Sequence, residues 1–140
     1  MASLEEIAQM AVDSFNNRTF YDDSATYVAE NCVSVDEPTG MELHGVEGNI
    51  QSSDIWVQAF PDAHAHVVSH DVDGNVVTTT IHATGTFTGE MMLPDGTSIP
   101  GNGSTLDFDY VQIAEFEGDK MVRVTARYDM NNMMAQLGLA

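Results

Sequence analysis

Apolar residues recur at helical spacing through the first sixty positions of this chain and at strand spacing after them. Leu4, Ile7, Ala8, Ala11, Val12 and Phe15 form one stripe, which predicts a helix to about Asn17. Ser3 stands where it can cap that helix, with Glu5 and Glu6 in the first turn, where carboxylates favour the positive end of the helix dipole. A second short helix is predicted from Tyr21 to Ala29, with Tyr21, Ala25, Val28 and Ala29 turned inward. Val33 and Val35 begin a short strand, and Asp36-Glu37-Pro38-Thr39-Gly40 reads as a turn. His44-Gly45-Val46-Glu47-Gly48 leads into a third helix through Ile50, Ile55, Trp56, Ala59 and Phe60, which Pro61 ends because it carries no amide hydrogen.

From residue 63 onward the period is two. Ala63 to Asp71 alternates, Asp73-Gly74-Asn75 is a hairpin turn, and Val76 to Thr88 is a long β-branched run. Gly89 to Ser104 is rich in Gly and Pro and is predicted as a loop overhanging one end of a sheet. Leu106 to Phe116 and Met121 to Asp129 form another strand pair around Glu117-Gly118-Asp119, and a helix over Met130 to Leu137 follows. Helices first and a strand meander afterwards is an α+β pattern, with helices packed on one side of a curved, mostly antiparallel sheet. A cone enclosing a pocket is the expected result, in a single domain over residues 1–140.

Composition narrows the partners. With 43% hydrophobic and 19% charged residues the chain is apolar enough to close a core. No stretch approaches the ~20 apolar residues of a membrane span, and the N-terminus has neither a basic nor an apolar leader region, so no membrane partner is expected and the location is read as cytoplasmic. Cys32 is the only cysteine, which leaves no intrachain disulfide and no thiolate metal cluster. A formal charge of −18 repels nucleic acid phosphates. The acids are scattered rather than in blocks, as on a surface kept soluble at high salt.

Only four Lys and Arg are present, yet Lys120, Arg123 and Arg127 fall within eight residues. Strand alternation puts Thr125, Arg127 and Asp129 on one face, with Ala126 and Tyr128 on the other. Arg127 is therefore a candidate to hold a carbonyl or enolate oxygen as charge develops on it, or else one half of an ion pair across two strands. His82 lies in phase with the threonines of its strand, either as a pocket acid or base or on the outer sheet face. Glu115, in phase with Asp109, is a pocket acid or a surface partner of Arg123. His64, His66 and His70 share a predicted face and have ligand-like spacing, but the apolar Ala63, Ala65 and Val67 oppose them, so no metal site is assigned. Phosphate loops, nucleophile elbows and a Cys–His pairing are all missing from the sequence, and no cofactor is expected.

Four segments in order carry a family resemblance: His44-Gly45-Val46-Glu47-Gly48, Trp56-Val57-Gln58-Ala59-Phe60-Pro61-Asp62, Gly85-Thr86-Phe87-Thr88-Gly89, and Asp129 followed by Gln136-Leu137-Gly138. With them the chain resembles the SnoaL-like polyketide cyclases of the nuclear transport factor 2 (NTF2)-like superfamily over nearly its whole length. The resemblance implies a cone-shaped fold, cofactor-free acid and base chemistry such as an aldol-type cyclisation or isomerisation, and a small apolar carbonyl-containing substrate. It assigns the proton transfers to Asp129, whose alternative is to cap the C-terminal helix. Phe15, Trp56, Phe60, Phe87, Met91, Met92, Met133 and Met134 would line or roof the cavity. Arg127 departs from the apolar or aromatic residue usual there. Together with Asp129 and Asp109 or Asp107 it is similar to the Asp-Arg-Asp set of the limonene epoxide hydrolases, so a hydrolase or isomerase stands as the alternative. The fold also hosts silent binding modules and commonly dimerises through its outer sheet face, which makes a homodimer the expected assembly.

Overall fold

The computed structural model describes residues 2–139. Helix α1, Leu4–Asn17, is closed at its start by a full capping box: the Ser3 hydroxyl accepts from the Glu6 amide at 3.1 Å and the Glu6 carboxylate accepts from the Ser3 amide at 3.1 Å. Its far end turns through Arg18 in the left-handed region, where the guanidinium donates to the carbonyls of Phe15, Pro61 and Ala63. Helix α2, Phe20–Tyr27, buries Phe20, Ser24 and Tyr27. The expected inward face differs: Tyr21 and Ala25 are exposed, because the helix begins one residue earlier and Phe20 takes the core position beside Phe15.

Strand β1, Val28–Asp36, therefore starts sooner than its valines suggested, and β2, Met41–His44, returns against it across the 36–40 turn. Helix α3 spans Gly45–Ala59, followed by β3 (His64–Asp73), β4 (Val76–Thr86), β7 (Thr105–Glu117) and β8 (Lys120–Arg127). The predicted loop at 89–104 holds a small hairpin, β5 (Glu90–Met92) and β6 (Ser98–Pro100), and α4 spans Met130–Gln136. The six long strands run in the order β2-β1-β8-β7-β4-β3, all neighbours antiparallel except β1 and β8. That parallel pair sets Asp36 opposite Ala126. It joins the start of the chain to its end and curls the sheet around α1 and α3.

Two glycines of the resembling segments have steric reasons. A Cβ on Gly48 would lie 2.6 Å from the Leu43 carbonyl carbon, and one on Gly89 would overlap the Gln58 carbonyl oxygen, so α3 packs this close to β2 and to the sheet end only without side chains there. Asp62 ties the same corner: its carboxylate accepts from the Thr86 amide at 2.7 Å and the Thr86 hydroxyl at 2.8 Å, and these bonds lower its pKa, the amide's first. One core cluster joins α1, Tyr27, Val28 and Cys32 to Val77, Ala114, Phe116 and Met121. Another joins Phe60, Phe87, Leu106 and Phe108 to Met133 and Leu137 of the last helix. Among the described residues no helix is long and apolar enough to cross a membrane.

Candidate active site

The concave face of the sheet and the helices enclose a cavity of about 120 Å³. Seven aromatic residues stand in its wall: Phe15 from α1, Tyr27 from α2, Trp56 from α3 and Phe60 at its end, and Phe108, Tyr110 and Tyr128 from the sheet and its extension. Strand alternation explains the set, since Phe108, Tyr110 and Gln112 share one face of β7 and Val124, Ala126 and Tyr128 one face of β8 and its extension. Asn49, Ser52, Gln112 and Tyr110 add neutral polar ends. Burial pushes the Tyr110 phenol up to about 12, so it remains a hydrogen-bond donor at neutral pH.

A second cavity of about 110 Å³ lies on the other side of Ser52, Trp56 and Tyr128, which line both. Its wall holds Met41, Met91, Met92, Met130, Met133 and Met134, six of the nine methionines in the chain, so its shape can adapt to irregular ligands. The 89–104 segment does border this cavity, through Met91 to Pro94. A single carboxylate, Asp36, belongs to this wall. The Tyr128 hydroxyl donates to its Oδ2 at 3.1 Å and the Thr39 hydroxyl to the same oxygen at 2.5 Å. Oδ1 is sealed from water and has no hydrogen-bond partner. Burial and, after it, the Asp36 charge push the Tyr128 phenol far above its ordinary range.

Of the lining residues expected from sequence, Phe15, Trp56 and Phe60 reach the first cavity, and Met91, Met92, Met133 and Met134 reach the second. Phe87 lines neither: it is fully buried beneath Phe60, ring centroids 5.5 Å apart. Of the ionisable candidates His64 lines the first cavity; the others gather elsewhere. Neither Arg127 nor Asp129 lines either cavity; the cavity side of that segment belongs to Val124, Ala126 and Tyr128. The Asp129 carboxylate caps α4, accepting from the Asn132 amide at 3.2 Å. Arg127 makes a two-pronged bond to Glu37, Nε to Oε1 at 2.8 Å and Nη2 to Oε2 at 3.0 Å, raising its own pKa and lowering that of Glu37 through that hydrogen bond.

His82 stands on the outer face between two acids, Nδ1 2.6 Å from Asp109 and Nε2 2.7 Å from Asp107. Both contacts are satisfied as hydrogen bonds only when both ring nitrogens carry protons, and the Asp109 bond foremost raises the imidazole pKa. Arg127, Asp129 and Asp109 are therefore not assembled around a common point: Glu37 holds the arginine, α4 the first acid and His82 the second. Glu115 faces Arg123 across the β7–β8 ladder at 3.8 Å. The three histidines of β3 do not share a face, because a bulge between Val67 and Ser69 shifts the register. His66 stays opposite His82, whereas His70 bonds Thr79 at 2.8 Å and Gln9 at 2.9 Å.

All four cations thus serve the fold: Arg18 and Lys120 hold backbone carbonyls, and Arg123 and Arg127 hold surface carboxylates. Sequence reasoning had placed Tyr128 opposite Arg127. It did not single out Tyr110, Gln112 or Asp36. For the first two, the signal was the alternation running on from Phe108. Asp36 had no local signal, since its setting is made by β8, ninety residues away.

The family model described as SnoaL-like polyketide cyclase matches residues 5–137. The chain belongs to this family. Among solved structures, a candidate SnoaL-like polyketide cyclase from Jannaschia sp. CCS1 superposes with a TM-score of 0.85 at 16% identity, covering 98% of this chain and 92% of that one. A SnoaL-like polyketide cyclase from Agrobacterium tumefaciens gives 0.77 at 23%, covering 99% and 100%. TsrD from Streptomyces laurentii gives 0.80 at 14%, covering 98% and 96%. At such identities the likeness is one of fold. No protein of curated function matches the chain in sequence. Family and architecture together support an enzyme of the cyclase or isomerase type in general; how and on what this SnoaL-like chain acts has to be argued from its cavities.

Proposed function

We propose that this SnoaL-like protein binds a small, mostly apolar carbonyl compound between α1, α3 and the sheet, and converts it without a cofactor by proton transfer of the cyclisation or isomerisation kind. The observation that carries this reading is the first cavity's wall: stacked and edge-on aromatic rings interrupted by a few neutral donors, with no Lys, Arg, Asp or Glu among the residues lining it. Such a wall, in which His64 is the one titratable imidazole, favours a flat uncharged ligand and can bond an oxygen that gains negative charge, through the Tyr110 hydroxyl or the Gln112 amide.

Trp56 is the only tryptophan and lines both cavities, so its fluorescence reports occupancy directly. Bicyclic ketones should quench it at lower concentration than the matching hydrocarbons, and Tyr110→Phe should narrow that gap. Equal affinities for ketone and hydrocarbon would remove the carbonyl from the proposal. One observation favours a second reading, a ligand-binding module without turnover: the acid that the family resemblance singles out, Asp129, is engaged as a helix cap outside the cavity. A ketone that binds but exchanges no α-proton would decide for that version.

A further inference from the structure

Asp36 is the one carboxylate on the wall of either cavity, and half of it is left over. Its Oδ2 takes two hydroxyl donors, Tyr128 at 3.1 Å and Thr39 at 2.5 Å, while Oδ1 has neither water nor protein for a partner. Buried acceptors without donors are rare and cost stability. A turn-opening residue at this position does not need the second oxygen, since a Ser also favours the first place of such a turn and carries none. No cation compensates either. Arg127, close in space along the strand, points to the other face and is held by Glu37. An oxygen sealed from water and unpaired, on a carboxylate fixed through its other oxygen, is placed to accept a proton from a ligand that reaches it.

We propose that Asp36 is the group that moves the proton in this site, with Tyr128 as its positioning residue. This rests on the carbonyl-compound reading above. Tyr128 and Trp56 belong to both cavities, so a ring system in the first cavity can reach the shared wall, and Oδ1, which has no exposed surface in this structure, is uncovered when the flexible methionine side chains of the second move aside. Oδ1 takes the proton from the carbon next to the carbonyl, and the C–H electron pair becomes an enolate with its charge on oxygen. The resulting carboxylic acid returns that proton to a different carbon in an isomerisation, or to the alkoxide formed when the enolate carbon attacks a second carbonyl in a cyclisation. Nothing is consumed and no other reactant is needed. The raised phenol of Tyr128 keeps its proton throughout, so it serves as a fixed donor to Oδ2 rather than as a second acid.

The test uses 2-tetralone, a flat bicyclic ketone with acidic α-protons, and the full-length chain. Binding is read by Trp56 quenching and proton transfer by α-deuterium exchange followed by proton NMR in heavy water. The wild type should bind and accelerate exchange over buffer. Asp36→Asn should keep binding within about threefold and lose about a hundredfold or more of the acceleration, the usual span for a positioned general base. Tyr128→Phe removes only the hydroxyl and should slow exchange about tenfold at unchanged binding, a split that loss of structure would not give. It carries the test by itself if Asp36→Asn does not fold. Exchange at the wild-type rate in these variants overturns the assignment while leaving the carbonyl reading in place. Binding without exchange by the wild type overturns the assignment in favour of a binding module. No quenching by the wild type removes the carbonyl reading and Asp36 with it.

Discussion

The two faces of the sheet use polar residues in opposite ways. On the outer face three basic side chains each meet a carboxylate: His82 between Asp107 and Asp109, Arg127 with Glu37, Arg123 with Glu115. On the inner face the polar groups lining the two cavities are few and mostly neutral, and the one carboxylate has an oxygen without a donor. Ion pairs in solvent gain little, so their residues are free to vary with the surface. A polar group kept among aromatic rings needs a ligand or a reaction to explain it. Charge density along the chain therefore marks where this protein meets water, and scarcity of charge marks its two cavities.

If that contrast holds, substitutions inside should be felt in stability or binding and those outside should not. The largest effect is expected at Phe87, which is fully buried against Phe60. Phe87→Ala should cost about 3–5 kcal/mol in urea unfolding, the range for emptying an aromatic core site. A loss below about 1 kcal/mol would mean that the corner below α3 is loosely packed. Next comes Ala126, on the wall of the first cavity and half-buried. Ala126→Phe should fill the space and weaken ketone binding by more than about tenfold, for an overpacking cost of about 1–3 kcal/mol in stability. Its outward neighbour offers the control: Arg127→Ala should leave Trp56 quenching unchanged.

Most of the fold was legible because it follows from periodicity and punctuation. The capped first helix, the Pro61 stop, the Gly74 hairpin and the long strands all stand where the alternation puts them, and the resemblance carried by the glycine-rich segments fits the observed close packing at Gly48 and Gly89. What periodicity could not supply was which side of β8 faces inward, since Thr125-Ala126-Arg127-Tyr128 alternates equally well either way. Long-range burial settles it: Ala126 and Tyr128 turn toward α3 and Phe108. The β3 bulge was equally silent, because a one-residue slip leaves no mark in a run such as His66-Val67-Val68-Ser69-His70. Asp36 was hidden for the converse reason. Its sequence neighbours, Glu37-Pro38-Thr39-Gly40, make it look like an ordinary turn opener.

A smaller effect separates Asp129 from the cavity residues. As an N-cap it holds one amide of α4, so Asp129→Ala should lower stability by about 1 kcal/mol and Asp129→Asn by less, since Asn also caps well. Neither should reduce α-proton exchange per folded molecule. A collapse of exchange in Asp129→Asn at full stability would return the acid and base role to this residue and erase the contrast between the two faces.

The smallest effect is expected at His82, and pH isolates it. Its folded pKa is raised, first by the hydrogen bond to Asp109 and further by the charge of Asp107, whereas a histidine in the unfolded chain titrates near about 6.5. Below that value the ring is protonated in both states and its pairing with the two acids contributes fully. As pH rises above it the unfolded chain loses the proton first, and the contribution fades until it is gone once the folded histidine has titrated. Urea midpoints of the wild type should therefore decline from pH 6 toward pH 8 more than those of His82→Gln, whose other histidines are the same. The gap should shrink in molar salt, because both acids stand in solvent. Parallel pH curves for the two proteins would show that the His82 cluster is energetically silent.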